Sequence, residues 1–160
     1  MTFHSLPIWL FGLQVFHVAF LLLHDWVPLG PFNNLKAQNQ HLKLWQRIVG
    51  PVISAILPGI GLYLSLSYTR TPYPWWLNAY LIGAYTFLFV GEIEAWWATY
   101  FWGYKRERGA SYQAMLAGTV SFLPLRNGIA PNAIHVLLHL ATVATLVLLI
   151  VQASTSLLKL

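Results

Sequence analysis

Four long apolar segments constrain the fold of this chain more than any other feature. They cover residues 6–26, 48–68, 75–102 and 132–158, and a helix needs about 20 mainly apolar residues to cross a bilayer. Hydrophobic residues make up 58% of the chain and charged residues only 8%, so a water-soluble domain would lack the polar side chains to cover its surface. The sequence therefore predicts one all-α domain over residues 1–160, an integral membrane four-helix bundle.

The positions of the basic residues predict how this bundle is oriented. Arg70 and Lys159 lie at one end, and every other Lys and Arg lies in or beside the two long connections. Cytoplasmic loops are enriched in Lys and Arg, so we expect both long connections in the cytoplasm and both termini outside, as in a bacterial inner membrane. The basic residues on the expected cytoplasmic side are Lys36, Lys43, Arg47, Lys105, Arg106, Arg108 and Arg126.

The two long connections are expected to hold short amphipathic segments at the membrane surface. Pro and Gly residues break the chain after the first apolar segment and again before the fourth. Between these breaks, residues 33–46 and 111–122 are more polar, and each favours a short surface helix.

The second apolar segment carries a stripe of small residues. Ser54, Pro58, Gly61 and Ser65 fall on one helical face. Small residues let helices approach closely, while an internal proline bends a helix. The stripe therefore predicts close packing or, as the alternative, a kink that admits a substrate.

Composition excludes several classes of site and partner. The chain has no cysteine, which excludes disulfides, thiolate metal sites and c-type haem attachment. The net charge of +5 comes from residues that flank apolar segments, whereas nucleic-acid binding needs a clustered basic patch. The expected partners are therefore membrane lipids and a lipid-soluble small molecule, with no nucleic acid.

Polar residues inside the apolar segments are few, and their spacing groups them on three helix faces. Because such residues are costly in a membrane, they mark candidate functional sites. From the predicted topology, Glu92, His24 and His139 fall at a similar depth in the cytoplasmic half, which predicts one polar site there. The three faces hold Gln14, His17 and His24 in the first segment, Asn78, Tyr85, Glu92 and Thr99 in the third, and Asn132, His135, His139 and Thr142 in the fourth.

The first functional hypothesis is an acid–base enzyme, an isomerase or cyclase acting on a lipid or isoprenoid-like substrate. Apolar surroundings favour the neutral, proton-donating form of a carboxylic acid, so Glu92 is the predicted acid and His135 or His139 its partner. No cofactor is expected. The predicted catalytic residues are Glu92, His135, His139, His24 and Glu94, and the predicted substrate-binding residues are His17, Gln14, Tyr85, Trp96, Trp97, Asn132 and Arg126.

Glu94 is a special case because it lies two residues after Glu92. Such residues differ by about 200° around a regular α-helix, so the two carboxylates face one site only if a π-bulge distorts the helix. Otherwise we expect Glu94 to pair with a basic residue such as Arg126. Arg126 itself is a candidate to hold a carboxylate or a lipid phosphate.

Two further hypotheses stay open from the sequence. His17, His24, His135 and His139 are candidate ligands for a metal ion or haem, because residues 135 and 139 lie one helical turn apart. A small proton-coupled transporter or accessory membrane subunit would use the same residues as a proton relay. The sequence leaves the oligomeric state open, a homo-oligomer included.

Overall fold

The computed structural model describes residues 6–157, and every regular element in that range is helical. Lys159 lies outside the described residues. The π-helical turn Ile93–Trp97 joins the helices Trp75–Glu92 and Ala98–Trp102 into one continuous rod. The helices are α1 (Leu6–Leu23), α2 (Leu35–His41), α3 (Leu44–Ser65), α4 (Trp75–Glu92), α5 (Ala98–Trp102), α6 (Arg106–Met115) and α7 (Ala133–Leu157), with short 3₁₀ turns at Gly30–Phe32 and Leu66–Tyr68.

Four of these rods are long and apolar enough to cross a membrane. They are Leu6–Leu23, Leu44–Tyr68, Trp75–Trp102 and Ala133–Thr155, so the predicted fold class is confirmed at the level of four long apolar helices in an all-helical chain.

Two predicted helix ends differ from the structure, and local hydrogen bonds explain both. The first helix ends at Leu23 because the Asn33 amide donates to the carbonyls of His24 and Val27, both at 2.8 Å, and folds the chain back. Helix α3, which corresponds to the second apolar segment, begins four residues before its predicted start, since the side chain of Gln46 accepts a hydrogen bond from the Lys43 N–H at 2.9 Å. This contact caps the exposed N-terminus of α3.

The four long helices form a closed ring of neighbours. Helix α1 packs against α3 and α7, and α4 packs against the same two helices. Both long connections, residues 24–43 and 103–132, therefore meet at one end, which we call the loop end. Hydrogen bonds tie them together there: the Asn132 amide donates to the Phe32 carbonyl at 2.9 Å, and the Val120 N–H donates to the Pro31 carbonyl at 2.9 Å.

Each connection holds one short helix, although the second is shifted from its predicted position. Helix α2 lies within the predicted range 33–46, but α6 covers Arg106–Met115, and residues 116–122 are not helical. Gly118 has a φ of 76°, a left-handed conformation that ends a helix. The prediction of a helix across 111–122 was therefore wrong beyond Met115.

Large apolar side chains cover the outside of the ring. Ile53, Phe87 and Leu140 are 61%, 71% and 62% exposed on α3, α4 and α7. On the inside, the small-residue stripe of α3 permits close packing: a Cβ built on Gly61 would lie 2.5 Å from Cδ2 of Leu81. The ring thus has apolar outer faces and a tightly packed interior near Gly61.

Candidate functional site

A cavity of about 280 Å³, mainly apolar, lies between α1, α3, α4 and α7. We call it the central cavity. Its wall on α3 and α4 includes the exposed residues Ile53, Phe87 and Gly91, so it opens sideways to the apolar outer surface of the bundle. Five of the predicted site residues line it, namely His24, Glu92, Trp96, His135 and His139.

Glu92 is the acidic residue of this cavity and ends α4. Its side chain is 6% exposed, and its Oε1 lies 2.8 Å from Oγ1 of Thr142 on α7. Its Oε2 is buried and has no hydrogen-bond partner. Leaving a buried polar atom unsatisfied costs about 1–3 kcal/mol, so this oxygen is available to a polar group of a ligand.

The proton position on His139 follows from its neighbour Trp97. The indole N–H of Trp97 donates to Nδ1 of His139 at 3.1 Å, and a neutral imidazole that accepts at one nitrogen carries its proton on the other. His139 therefore presents an N–H at Nε2, and that atom is buried without a partner. In this form His139 is a hydrogen-bond donor towards the cavity, whereas its basic nitrogen faces Trp97.

His135 has the opposite arrangement because Asn132 holds its other nitrogen. The Asn132 amide donates to Phe32, so its Oδ1 is the acceptor that faces Nδ1 of His135, at 2.5 Å. Nδ1 consequently carries the proton of the neutral ring, and Nε2 keeps its basic lone pair. The ring of Trp96 lies 4.4 Å from that of His135 and restricts its movement.

His24 faces two acceptors at the rim of the cavity. Its Nδ1 lies 2.8 Å from the Phe20 carbonyl oxygen and its Nε2 lies 3.2 Å from Oδ1 of Asp25. The ring also stacks on Phe20 with 4.6 Å between ring centroids.

A second, smaller cavity lies towards the loop end. It measures about 210 Å³ and shares His24, Trp96 and His135 with the central cavity. Its remaining wall includes the more polar side chains of Asp25 and Gln38. The three shared rings therefore separate an apolar cavity that opens sideways from a more polar cavity near the loops.

Of the seven predicted substrate-binding residues, Trp96 alone lines the central cavity, and three of the other six are buried elsewhere on α1 and α4. Gln14 is buried on α1, where its amide donates to the Tyr73 hydroxyl at 3.0 Å and its Oε1 accepts from Ser65 at 2.9 Å. Burial raises the pKa of Tyr73, against the lowering effect of these polar neighbours. His17 and Tyr85 are both fully buried, with their rings 4.9 Å apart.

The remaining predicted residues divide between support of the site and the surface. Trp97 and Asn132 hold the rings of His139 and His135, as described above. Glu94 is exposed and pairs with Lys105, whose pKa this contact raises. Arg126 is also exposed, and its guanidinium lies 5.6 Å from the ring centroid of Phe101.

A π-helical turn follows Glu92, but it does not place the two carboxylates in one site. Glu92 is buried in the bundle, while the side chain of Glu94 is 52% exposed. The turn instead supplies two successive indoles to α7: Trp96 packs on His135, and Trp97 hydrogen-bonds to His139.

Thr142 is the site residue that sequence reasoning left without a role. It is fully buried and contacts both Glu92 and His17 through its hydroxyl, at 2.8 Å and 3.1 Å. Its spacing from His139 already placed it on the polar face of the fourth helix. Its partner His17 lies on another helix, so no spacing rule within one helix could have paired them.

Three of the four candidate ligands of a metal or haem site, His24, His135 and His139, line the central cavity, whereas His17 does not. No group of three or more His, Asp or Glu side chains in the described part of the chain is arranged to hold a metal ion. Both ring nitrogens of His17 are occupied by protein atoms, the Leu13 carbonyl at 2.6 Å and the Thr142 hydroxyl at 3.1 Å. These contacts do not favour His17 as an axial ligand.

Comparison with known proteins identifies no relative of this chain. It matches no protein-family model, no curated protein and no solved structure. The geometry of the central cavity is therefore the main guide to the function of this chain.

Proposed function

We propose that the chain is an integral membrane protein with the loop end in the cytoplasm and both termini outside, as in a bacterial inner membrane. Large apolar side chains on the outside of the ring, such as Ile53 and Phe87, support contact with lipid, since soluble monomers rarely expose extended apolar patches. The excess of Lys and Arg at the loop end supports the orientation. Arg47 supports this orientation less than the other basic residues do, because it is buried and hydrogen-bonds to Asn39 and the Asp25 carbonyl.

We further propose that the central cavity is the active site of an acid–base enzyme, an isomerase or cyclase acting on a lipid-soluble substrate. One observation carries this proposal: Glu92 and His139 each leave one buried polar atom without a partner beside a mainly apolar cavity. Structural polar residues usually satisfy all their buried atoms. Unpartnered atoms at such a cavity are typical of a binding site that uses few polar groups.

The hydrogen bonds support a role for three polar residues of the cavity, Glu92, His139 and His135. Glu92 gives a proton to a carbon of the substrate double bond, and the resulting cation lies beside the ring of Trp96. His135 then removes a proton from a neighbouring carbon through its basic Nε2, which leaves a shifted double bond or a closed ring. His139 donates from Nε2 to an oxygen of the substrate and orients it.

The sideways opening supports a substrate that enters from the membrane. The cavity of about 280 Å³ is at the small end of ligand sites, so it holds the reacting part of a lipid rather than a whole molecule. The rest of the lipid's hydrocarbon chain then leaves the cavity between α3 and α4, past Ile53 and Phe87. A substrate with an isoprenoid or similar apolar tail fits this geometry.

Deuterium transfer from solvent tests the proposed activity without knowledge of the substrate. The purified protein in nanodiscs is incubated in D₂O with total lipid extract from bacterial membranes, and the lipids are analysed by mass spectrometry. Protonation at carbon adds one deuterium to the substrate. We expect Glu92→Gln to reduce this incorporation at least about 100-fold, because positioned acids contribute that much or more.

Glu94→Gln is the matched control for this experiment. It makes the same chemical change two residues away on an exposed side chain, and it is expected to leave incorporation within about twofold of the wild type. Equal incorporation by the Glu92→Gln protein would reject Glu92 as the acid. No incorporation by folded wild-type protein, with extracts that cover the membrane lipids, would reject the proposed reaction.

A further inference from the structure

A chain of three buried side chains continues from Glu92 away from the central cavity. Oε1 of Glu92 lies 2.8 Å from the Thr142 hydroxyl, which lies 3.1 Å from Nε2 of His17. Nδ1 of His17 lies 2.6 Å from the Leu13 carbonyl oxygen. His17 is not among the residues that line the central cavity, and both His17 and Thr142 are fully buried.

The donors and acceptors of these three side chains permit a state in which His17 is neutral. A backbone carbonyl only accepts, so Nδ1 of His17 is always a donor and Nε2 of the neutral ring accepts from Thr142. Thr142 has a single hydroxyl proton, and in this state it goes to His17 rather than to the Leu138 carbonyl, which also lies 3.1 Å from the hydroxyl. Its contact with Glu92 is then favourable only if Glu92 is protonated on Oε1, and Oε2 is left as an acceptor towards the cavity.

A second state satisfies the same contacts with one more proton. When His17 is protonated on both nitrogens, Nε2 donates to Thr142, and Thr142 donates to Oε1 of Glu92. The carboxyl proton then lies on Oε2, beside the cavity. Glu92 is neutral in both states, and the positive charge of the second state resides on His17.

We propose that His17 stores the catalytic proton and exchanges it with Glu92 through the hydroxyl of Thr142. A proton that arrives at Oε2 breaks the Oε1–H bond, moves that proton to Thr142, and moves the Thr142 proton to Nε2 of His17. A proton that leaves Oε2 for the substrate reverses each transfer. His17 and Thr142 are positioning residues in this scheme, because Glu92 is the one member of the three that touches the substrate.

The relay explains two features of the interior and rests on the proposed acid–base function. It keeps Glu92 neutral after it gives up a proton, so no carboxylate is left to capture a cationic intermediate. It also gives buried Thr142 and His17 defined partners at every stage. Tyr85 of α4 is a further titratable group packed on His17, and its ring meets the imidazole edge-on at 4.9 Å.

Coupling between His17 and Glu92 can be measured without substrate. Infrared difference spectra give the C=O band of protonated Glu92, assigned by its loss in Glu92→Gln. Nitrogen-15 NMR of labelled histidine gives the protonation of His17, assigned by its loss in His17→Gln. As pH is lowered, we expect the band to shift to lower frequency in step with His17 protonation, because the C=O group moves from unpartnered Oε2 to hydrogen-bonded Oε1.

Two substitutions at Thr142 test whether the hydroxyl carries this coupling. Thr142→Val keeps the shape and removes the hydroxyl, so the Glu92 band is expected to stay fixed while His17 titrates. Thr142→Ser keeps the hydroxyl and is expected to retain the shift. In the deuterium assay, Thr142→Val should slow incorporation about 10-fold to 100-fold, and Thr142→Ser should stay within about threefold of the wild type.

The outcomes separate the relay from the proposed function. A wild-type spectrum in which Glu92 becomes a carboxylate, or a His17 ring with no proton on Nδ1, overturns the relay. The relay is also overturned if the Glu92 band of the Thr142→Val protein shifts with His17 protonation as it does in the wild type. If Thr142→Val does not fold, the wild-type and His17→Gln spectra still show whether the Glu92 band follows the protonation of His17. Coupling without any deuterium incorporation rejects the proposed reaction but leaves the relay standing.

Discussion

At the scale of single residues, the function of each histidine depends on what holds its second nitrogen. Trp97 donates to His139, Asn132 accepts from His135, and the Leu13 carbonyl accepts from His17. In the proposed mechanism, one residue type therefore provides a donor, a base and a proton store within one bundle. The neighbour that fixes the tautomer is as important as the imidazole itself.

Trp97→Phe tests this assignment for His139. The change removes the indole N–H, so the His139 proton is free to occupy either nitrogen. We expect nitrogen-15 NMR to show a mixture of tautomers, and deuterium incorporation to fall about 10-fold, close to the loss of one neutral hydrogen bond. Trp102→Phe, at a position 75% exposed, is the control. A single unchanged His139 tautomer in Trp97→Phe would show that Trp97 does not set it.

At the scale of helices, the sequence predicts the long elements and the buried faces well. The third long helix, Trp75–Trp102, has its predicted ends. Its polar residues, spaced seven apart, are all buried as that spacing indicates: Asn78, Tyr85, Glu92 and Thr99. The spacing rule loses register at the π-helical turn, because one extra residue rotates all that follows by about 100°. Thr99 accordingly bonds to the Tyr104 carbonyl outside the central cavity.

Contacts between helices and loops were beyond the reach of the sequence. Spacing placed Gln14, His17 and His24 on one face of α1, yet only His24 reaches the central cavity. The face runs along the helix, so each residue meets a different partner: Ser65, Thr142 and Asp25. Those partners depend on how α1 packs against α3 and α7, which hydrophobic periodicity does not specify.

The packing of α3 against α4 predicts that replacing two glycines of α3 by alanine changes the stability of the fold in different ways. A Cβ at Gly61 would meet buried Leu81 at 2.5 Å, whereas a Cβ at Gly59 meets nothing within 4 Å. Gly61→Ala is expected to destabilise the fold by about 1–3 kcal/mol through overpacking. Gly59→Ala is expected to be neutral or to stabilise by up to about 1 kcal/mol, through helix propensity. Thermal unfolding in detergent measures both, and equal effects would contradict the close approach at Gly61.

At the scale of the whole molecule, the two ends of the bundle differ in construction. The loop end has packed connections, a second cavity and most of the basic residues, whereas the opposite end closes with the short turn at residues 69–74. The unpartnered atoms of Glu92 and His139 lie at the central cavity, which adjoins the second cavity through three shared rings. The proposed orientation therefore puts the proposed reaction in the cytoplasmic half and leaves the sideways opening within the lipid.

Cysteine labelling tests insertion and orientation together. The chain contains no cysteine, so Thr71→Cys and Ser111→Cys each introduce a single reactive thiol at an exposed position, one at each end of the bundle. We expect a membrane-impermeant maleimide to label Thr71→Cys in intact cells, and to label Ser111→Cys only after the membrane is opened. The reverse pattern would invert the orientation but preserve the membrane-spanning bundle. Labelling of both positions in intact cells would show that the helices do not cross the membrane.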